Sequence, residues 1–436
     1  MTATPLGAIV TTDLTAITRG RFLPADRIGA AATGVGWVPA NLSLKPDGHI
    51  IDADIWGSSG DLRIIPDPAA RAVTGLTGAE TPFDMTPGDI VALDGAPWAG
   101  CCRSALKAAI AALKAETGFG LMASFEQEFQ ILGAGLPDAH VFSFAALRRA
   151  EPFAGRYFAA LAEAGVDPEV IIAEYGQDQY EITTGPTDPV AAADRAVIVR
   201  EITREMTRIQ GWRASFAPKT SPGAVGNGVH IHFSLIDAEG RPAGFDPAGP
   251  GRLSPAARAF CAGVLRHMPA TLALTAPHPS SYLRLKPHNW SSAWTWLGER
   301  DREASLRICP TVEIGGKDPA RQFNVEYRAA DATANPYLAL AALVRAGCEG
   351  IGQGLQAPVF SGDPEALSQA ERDRLGLHRL PESLGDALDR LAGSEAVASW
   401  FAPELLTTFA GVKRAELAGA EGLDDDALCA QCAAHY

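Results

Sequence analysis

Along residues 121–132, LMASFEQEFQIL, apolar and polar positions alternate with a period of two, the pattern of a strand with one buried face. Phe125, Gln127 and Phe129 take one side, and Glu126, Glu128 and Gln130 take the other. The alternation recurs in VGNGVHIHFSL (225–235), where His230, His232 and Ser234 oppose Val229, Ile231, Phe233 and Leu235. It recurs again in QFNVEYRAAD (322–331), where Glu326 and Arg328 oppose Val325 and Tyr327. Helical periodicity separates these strands. One helix is expected from Cys101 to Gly118, and a second over 188–210 with Asp188 as N-cap and Pro189 in the first turn. A third follows Asn335-Pro336 over 336–354, and two more fall within 381–418. Residues 1–98 read as short strands punctuated by Gly and Pro, with strand, loop and strand over 47–68 and another strand over 88–95. The pattern predicts an α+β chain: a small β-rich domain over 1–98 and a large domain over 99–436 whose strands are interleaved with helices.

Composition narrows the possible functions. With 47% hydrophobic and 20% charged residues among 436, the chain can bury a sizeable core, which disorder would not allow. A net charge of −14 with no Lys/Arg run argues against a nucleic-acid partner. The opening MTATPLGAIVTTDLTAITRG lacks the basic segment and apolar core of a signal peptide, and no apolar stretch is long enough to span a bilayer. Seven cysteines, including adjacent Cys101 and Cys102 and the pair Cys429 and Cys432, form neither a disulfide framework nor a closed zinc site, so a reducing cytoplasm is expected.

The polar faces carry the chemistry. Two carboxylates roughly 6–7 Å apart on one strand face repel unless water or a cation separates them. Glu174 and Glu181 add two more in AEYGQDQYEITTG (173–185). Converging the faces in a barrel or funnel would gather Glu126, Glu128, Glu174, Glu181, Glu326 and His230 around one volume, and such a cluster needs compensating cations. An oxygen-rich donor set selects Mg²⁺ or Mn²⁺ over Zn²⁺ and suffices for at least two ions. Arginines accompany it: Arg284 in YLRLKP, Arg300, Arg302 and Arg307 in LGERDREASLRIC, and Arg328. Their forks match carboxylates and phosphates, and metal ions with arginines suit phosphoryl transfer between anions. Taken singly, each feature has a plainer account as a solvent-facing carboxylate pair, a half-buried histidine or a surface ion pair.

Taken together, FEQEF, EYGQDQYEI, GNGVHIHFSL, YLRLKP with DREASLRI, and VEYRAADATANPYLALAALVRAGCEGI resemble the glutamine synthetases, in the family's order over most of residues 90–350. WGSSGDLRIIPDP resembles the family's small domain. The resemblance implies an N-terminal β-grasp domain and a catalytic domain whose antiparallel sheet curves around the active site, flanked by helices. It implies amide formation from glutamate and an amine, with ATP as co-substrate and two or three Mg²⁺ or Mn²⁺ ions. A homo-oligomer is implied too, in which the small domain of one subunit completes the active site of the next. Carried over by position, it gives Glu128, Glu174 and Glu181 to one ion, and Glu126, His230 and Glu326 to the ion that bridges the ATP phosphates. Arg284 and Arg328 would hold the glutamate carboxylates with Gly226 as a backbone contact. Arg302 and Arg307 would steady the transferring phosphate, and His232 and Ser234 would line the nucleotide side.

Departures from the family pattern bear on the amine. Where ammonia-using members carry a flap acid, six positions after the substrate arginine, this chain has Trp290 in HNWSSAWTW. An expected asparagine is Val225, several extra residues separate Arg307 from Glu326, and no NLY nucleotidylation site is visible. The deprotonating aspartate falls to Asp52 or Asp54, with Asp54 the candidate. These changes point to a ligase for glutamate, or a similar acid, and an organic amine such as a polyamine, ethanolamine, an alkylamine or aniline. The alternatives are glutamine synthetase using ammonia, a silent nucleotide-binding scaffold or sensor, and an oxygen-ligated metallohydrolase, which would not need the arginines. Trp290 could also simply pack the flap with Trp294 and Trp296.

Overall fold

The computed structural model describes residues 3–436. Its first sheet is built by β1 (Leu6–Thr12), β2 (Thr18–Pro24), β3 (Val35–Trp37), β4 (Leu62–Pro66), β5 (Ala72–Thr74) and β6 (Phe83–Val91). The strand order is β2-β1-β6-β4-β3, with β5 beside β6; β1 runs parallel to β6 and the other pairs are antiparallel. Ile9, Trp37, Leu62, Ile64 and Ile90 fill one side of it. On the other side Val10, Ala72 and Met85 join the core of the larger domain, so the two sheets are packed as one body. The expected strand at the start of 47–68 does not form. Asp47 accepts the His49 N–H, and Asp54 accepts those of Trp56 and Gly57, so side-chain oxygens close turns that compete with a ladder. The strand expected over 88–95 is the end of β6, which stops at Val91.

The first helix, Cys102–Thr117, begins after Cys101 and ends where Gly118 adopts φ 78°, a left-handed cap. The second sheet follows: β7 (Gly120–Leu132), β8 (Pro168–Ala173), β9 (Gln179–Thr184), β10 (Arg213–Ser215), β11 (Val229–Ile236), β12 (Leu297–Glu299), β13 (Leu306–Ile308), β14 (Val325–Tyr327) and β15 (Val359–Phe360). Its order is β15-β12-β13-β14-β11-β7-β9-β8, with β10 against β7. The run from β13 to β8 is antiparallel as expected. At the far edge β12 pairs parallel with both β13 and β15, so the whole sheet is mixed rather than purely antiparallel.

Helices Pro189–Ile209, Pro255–Thr275 and Pro336–Gly352 cover the apolar face of this sheet. The first of them starts at the Asp188 cap, which accepts the N–H groups of Val190 and Ala191. Beneath it, Gln127 donates to the Ala196 carbonyl at 3.0 Å, the one polar tether of that face of β7. The remaining helices in 381–418 are Leu384–Ala392 and Pro403–Gly419, with a short turn at Glu395–Ala398 between them. A final helix, Asp425–His435, buries Cys429 and Cys432 as free thiols. Among the described residues no helix is long and apolar enough to cross a membrane.

Candidate active site

Strand register brings the polar faces of five strands into one row. On β7 and β9, Glu128 pairs with Glu181; on β7 and β11, Glu126 pairs with His230. On β11 and β14, His232 pairs with Glu326, and on β13 Arg307 lies opposite Glu326. Period-two alternation on each strand therefore delivers carboxylates and imidazoles to a single surface. Ligand atoms of Glu126, His232 and Glu326 lie within 4.8 Å of one another. His230 is closer still, with Nδ1 2.7 Å from Glu126 Oε1 and 3.3 Å from Glu326 Oε1. Both imidazoles thus face one carboxylate pair, with His232 Nε2 3.4 Å from Glu126 Oε2.

The electrostatics divide the cluster in two. Burial, and the nearby charges of Glu126, Glu128 and Glu174, push Glu181 up to about 10. Burial, and the charges of Glu126 and Glu174, push Glu128 up to about 7. Burial also raises Glu174, which stands at the turn between β8 and β9. On the other side, burial alone would raise Glu326, but His230, Arg328 and His232 outweigh it and hold the carboxyl at about 2. Glu126 is likewise held well down: burial works against this, and hydrogen bonds to His230 and His232 prevail. One half of the row is a carboxylate group that lacks cations, and the other is already neutralised by imidazole and guanidinium. The three raised glutamates fit a hard divalent ion, whose charge would offset the burial and mutual repulsion that raise them.

The arginines converge from three segments. Arg307 Nη1 donates to Glu326 Oε2 at 2.7 Å, and Arg328 Nη1 to Glu326 Oε1. Arg284 is buried beneath, its guanidinium on the carbonyls of Arg328 and Ala330. Gly226 makes that possible: a Cβ there would lie 2.6 Å from Arg284 Cγ. The Gly226 carbonyl accepts Gln179 Nε2 at 2.9 Å. Arg302 is exposed near Glu174, and Ser234 donates its hydroxyl to the Phe323 carbonyl at 2.8 Å.

Trp290 is 71% exposed, with a left-handed φ of 53°, while Trp296 is buried. The alternative that Trp290 packs into a flap core is therefore ruled out. Its backbone is held from both sides, by Glu303 Oε1 accepting its N–H at 2.5 Å and by Arg328 Nη2 donating to its carbonyl at 3.2 Å. Asp54 is not part of this row in its own chain. Its carboxylate accepts Ser43 Oγ and the N–H groups of Trp56 and Gly57, all within its own loop.

Several further residues complete the site. Gln179 bridges Glu128 Oε2, Gly226 and Asn227; Asn324 Oδ1 lies 2.9 Å from His232 Nδ1. Glu303 anchors the flap through the N–H groups of His288 and Trp290, and Cys309 sits against His232 and Glu326. Gln179 and Asn324 stand two residues before Glu181 and Glu326, on the same faces, whereas Glu303 lies outside the strands, where alternation says nothing. Cys309 follows directly on β13, and its apolar character gave no reason to place it among polar groups.

A sheet that turns hard-ion donors and guanidinium forks toward one volume is suited to metal-dependent chemistry on anionic substrates. Two protein-family models cover nearly all of this chain, the glutamine synthetase N-terminal domain over residues 3–98 and the glutamine synthetase catalytic domain over 99–425. The chain belongs to the glutamine synthetase family, and so to the ATP-dependent ligases that form C–N bonds. It is 35% identical over 433 residues to gamma-glutamylpolyamine synthetase GlnA3 of Streptomyces coelicolor, covering 96% of this chain and 91% of that protein. It is 32% identical over 348 residues to type-1 glutamine synthetase 1 of Dictyostelium discoideum, covering 76% and 68%. Among solved structures, a novel glutamine synthase homolog superposes with a TM-score of 0.92 at 47% identity, covering 100% of this chain and 99% of that one. A GmaS/ADP complex superposes at 0.81 with 25% identity, covering 97% and 95%.

Proposed function

We propose that the protein joins glutamate, or a similar acid, to an organic amine at the expense of ATP. The observation that carries this reading is Trp290: an exposed indole, on a backbone held by Glu303 and Arg328, at the flap position where ammonia-using relatives carry an acid. A cation–π contact to ammonium contributes about 0.5–2 kcal/mol. Each methylene of an organic amine laid on the indole contributes about 0.8 kcal/mol, so a short alkyl chain already outweighs that contact. The relative named as a gamma-glutamylpolyamine synthetase supports the same direction.

In this reading Arg284 and Arg328, with the Gly226 backbone, hold the acid. Arg302 and Arg307 steady the transferring phosphoryl group, and His232 and Ser234 line the nucleotide. Glu128, Glu174 and Glu181 hold one Mg²⁺ or Mn²⁺, and Glu126, His230 and Glu326 hold another. Bound there, such ions neutralise phosphate charge and make the γ-phosphorus a better electrophile. A carboxylate oxygen of the acid attacks that phosphorus and ADP leaves. The amine nitrogen then attacks the acyl carbon of the acyl phosphate, inorganic phosphate leaves, and the nitrogen loses its proton. Positioning and charge stabilisation by the arginines serve both steps. Asp54 reaches this chemistry as a base only from a neighbouring subunit, which makes a homo-oligomer with shared sites part of the proposal. The test is ATP-dependent phosphate release against a panel of amines with ammonia included. Release that requires both an acid and an organic amine supports the reading, and equal or better use of ammonia transfers it to plain glutamine synthetase.

A further inference from the structure

Between Arg284 and Ser291 the chain leaves the core for a short flap, KPHNW (286–290), in which His288, Asn289 and Trp290 are exposed. Its ends are tied together, since the buried Ser291 hydroxyl donates to the Arg284 carbonyl at 2.7 Å. Inside it, His288 has φ 59° and Trp290 φ 53°. A bulky L-residue in the left-handed region is strained, and the conformation persists only where surrounding groups over-determine it. Packing does not supply that restraint, because both side chains stand in solvent. The His288 imidazole lies 3.7 Å from Asp363 Oδ2, but this joins two exposed groups and holds little. Hydrogen bonds to one carboxylate supply it instead. Glu303 Oε2 accepts the His288 N–H at 3.1 Å and Oε1 accepts the Trp290 N–H, so a single side chain restrains both left-handed residues. Glu303 is itself a rigid post. Its N–H donates to Asp301 Oδ1 at 2.9 Å, and its carbonyl accepts Nε1–H of Trp296 at 3.1 Å. Trp296 is packed in turn with Ala304 and Leu377. The backbone at 303 is thus placed without help from its own side chain.

We propose that Glu303 is a positioning residue for the amine: its carboxylate holds the flap backbone at His288 and Trp290, and thereby sets the preference between organic amines and ammonia. The inference rests on the reading of Trp290 as the residue that meets the amine. It goes beyond that reading by assigning the discrimination to a group that touches neither substrate. Arg328 closes the other side of the clamp by donating to the Trp290 carbonyl, but it also bonds Glu326 and the Arg302 carbonyl. Its loss therefore disturbs acid, phosphate and amine together. Among the described residues the Glu303 carboxylate hydrogen-bonds to the flap alone, so its loss acts on the amine step selectively. Glu303→Gln keeps one carbonyl acceptor and sets an NH₂ group against the other N–H, which leaves half the clamp in a side chain of the same size.

Hydrogen exchange read by mass spectrometry on the full-length protein reports the clamp directly. The peptide carrying His288 and Trp290 exchanges about tenfold or more faster in Glu303→Ala than in the wild type, with Glu303→Gln between them, while peptides of β7 and β11 are unchanged. In phosphate-release assays the kcat/KM ratio of an organic amine to ammonia falls about tenfold in Glu303→Ala, the worth of one or two methylenes no longer held against the indole. The change falls on KM for the amine, and KM for ATP and for the acid stays within about twofold, a split that a general loss of structure would not produce. If Glu303→Ala fails to fold, the same comparison is made with Glu303→Gln, whose effects are smaller and in the same direction. The proposal is overturned by flap amides that already exchange freely in the wild type. It is overturned equally by an amine-to-ammonia ratio that stays at the wild-type value in folded variants with faster flap exchange. A wild type that prefers ammonia while its flap amides are protected overturns the reading of Trp290 instead, so the two failures are distinguishable.

Discussion

Arg328 commits three donors to three partners: Nε to the Arg302 carbonyl at 3.0 Å, Nη1 to Glu326 and Nη2 to the Trp290 carbonyl at 3.2 Å. A guanidinium fork can span a metal-ligand carboxylate, the phosphate loop and the flap at once, and an ammonium cannot. Arg328→Lys is therefore expected to be nearly as damaging as Arg328→Ala. Each lost charged hydrogen bond is worth about 1.5–3 kcal/mol, so kcat/KM falls by about tenfold to a hundredfold or more in both. Steady-state kinetics check this, and near-normal turnover of the lysine variant would show that Arg328 grips nothing in the reaction. Glu181 poses the opposite case. Burial and three neighbouring carboxylates make its ionised form unfavourable, so Glu181→Gln should leave the metal-free melting temperature unchanged or higher while turnover is abolished. Calorimetry with and without Mg²⁺ tests it, since the wild type should gain stability from the ion and the variant should gain less. Single residues of this kind were legible where they sat on alternating strands. Cys309 and Glu303 were not, because their roles arise from pairing between segments distant in sequence.

At the level of elements, period-two alternation in β7, β11 and β14 was enough to put Glu126, Glu128, His230 and Glu326 on one surface, and caps such as Asp188 fixed helix starts. The loop over 47–61 was misread because Asp47 and Asp54 satisfy backbone N–H groups locally, an option that apolar patterning does not register. The C-terminal helix was also missed. Its docking depends on Tyr436, whose carbonyl accepts the Phe216 N–H at 2.8 Å and whose ring packs edge-on against His278. Burial, with Lys413 and His435 nearby, depresses the His278 pKa to about 3 from the usual 6.5. A depressed histidine stabilises the fold above its unfolded pKa, and that contribution is lost as pH falls from 6.5 toward about 3. Stability should drop by up to about 1.4 kcal/mol for each pH unit across this window through His278. His278→Gln should flatten that acid limb in urea titrations; an unchanged slope would mean that the imidazole is not held neutral.

At the scale of the molecule, the small domain packs its Val10 and Met85 face into the catalytic core, yet Asp54 and its loop do not touch the carboxylate row of the same chain. Large apolar side chains stand in water on the single chain, including Phe22, Phe142, Phe144, Tyr175 and Ile314. Both features fit an assembly in which one subunit's small domain closes the next subunit's site, and exposed patches of this kind mark interaction surfaces. Light scattering under assay conditions should therefore report a homo-oligomer, and dilution to monomer should abolish activity; a fully active monomer would refute the shared site.

The convergence of carboxylates, imidazoles and guanidinium groups was readable from the strands, while the proposed amine turns on one exposed indole whose backbone position only the folded flap reveals. The most direct measurement is kcat/KM for phosphate release with ammonia and with a series of primary amines and polyamines, for the wild type and for Trp290→Glu. Organic amines should exceed ammonia in the wild type, with the advantage growing by up to about 0.8 kcal/mol for each methylene buried, and Trp290→Glu should shift the preference toward ammonia. A wild-type enzyme that uses ammonia at least as well as every organic amine would contradict the account.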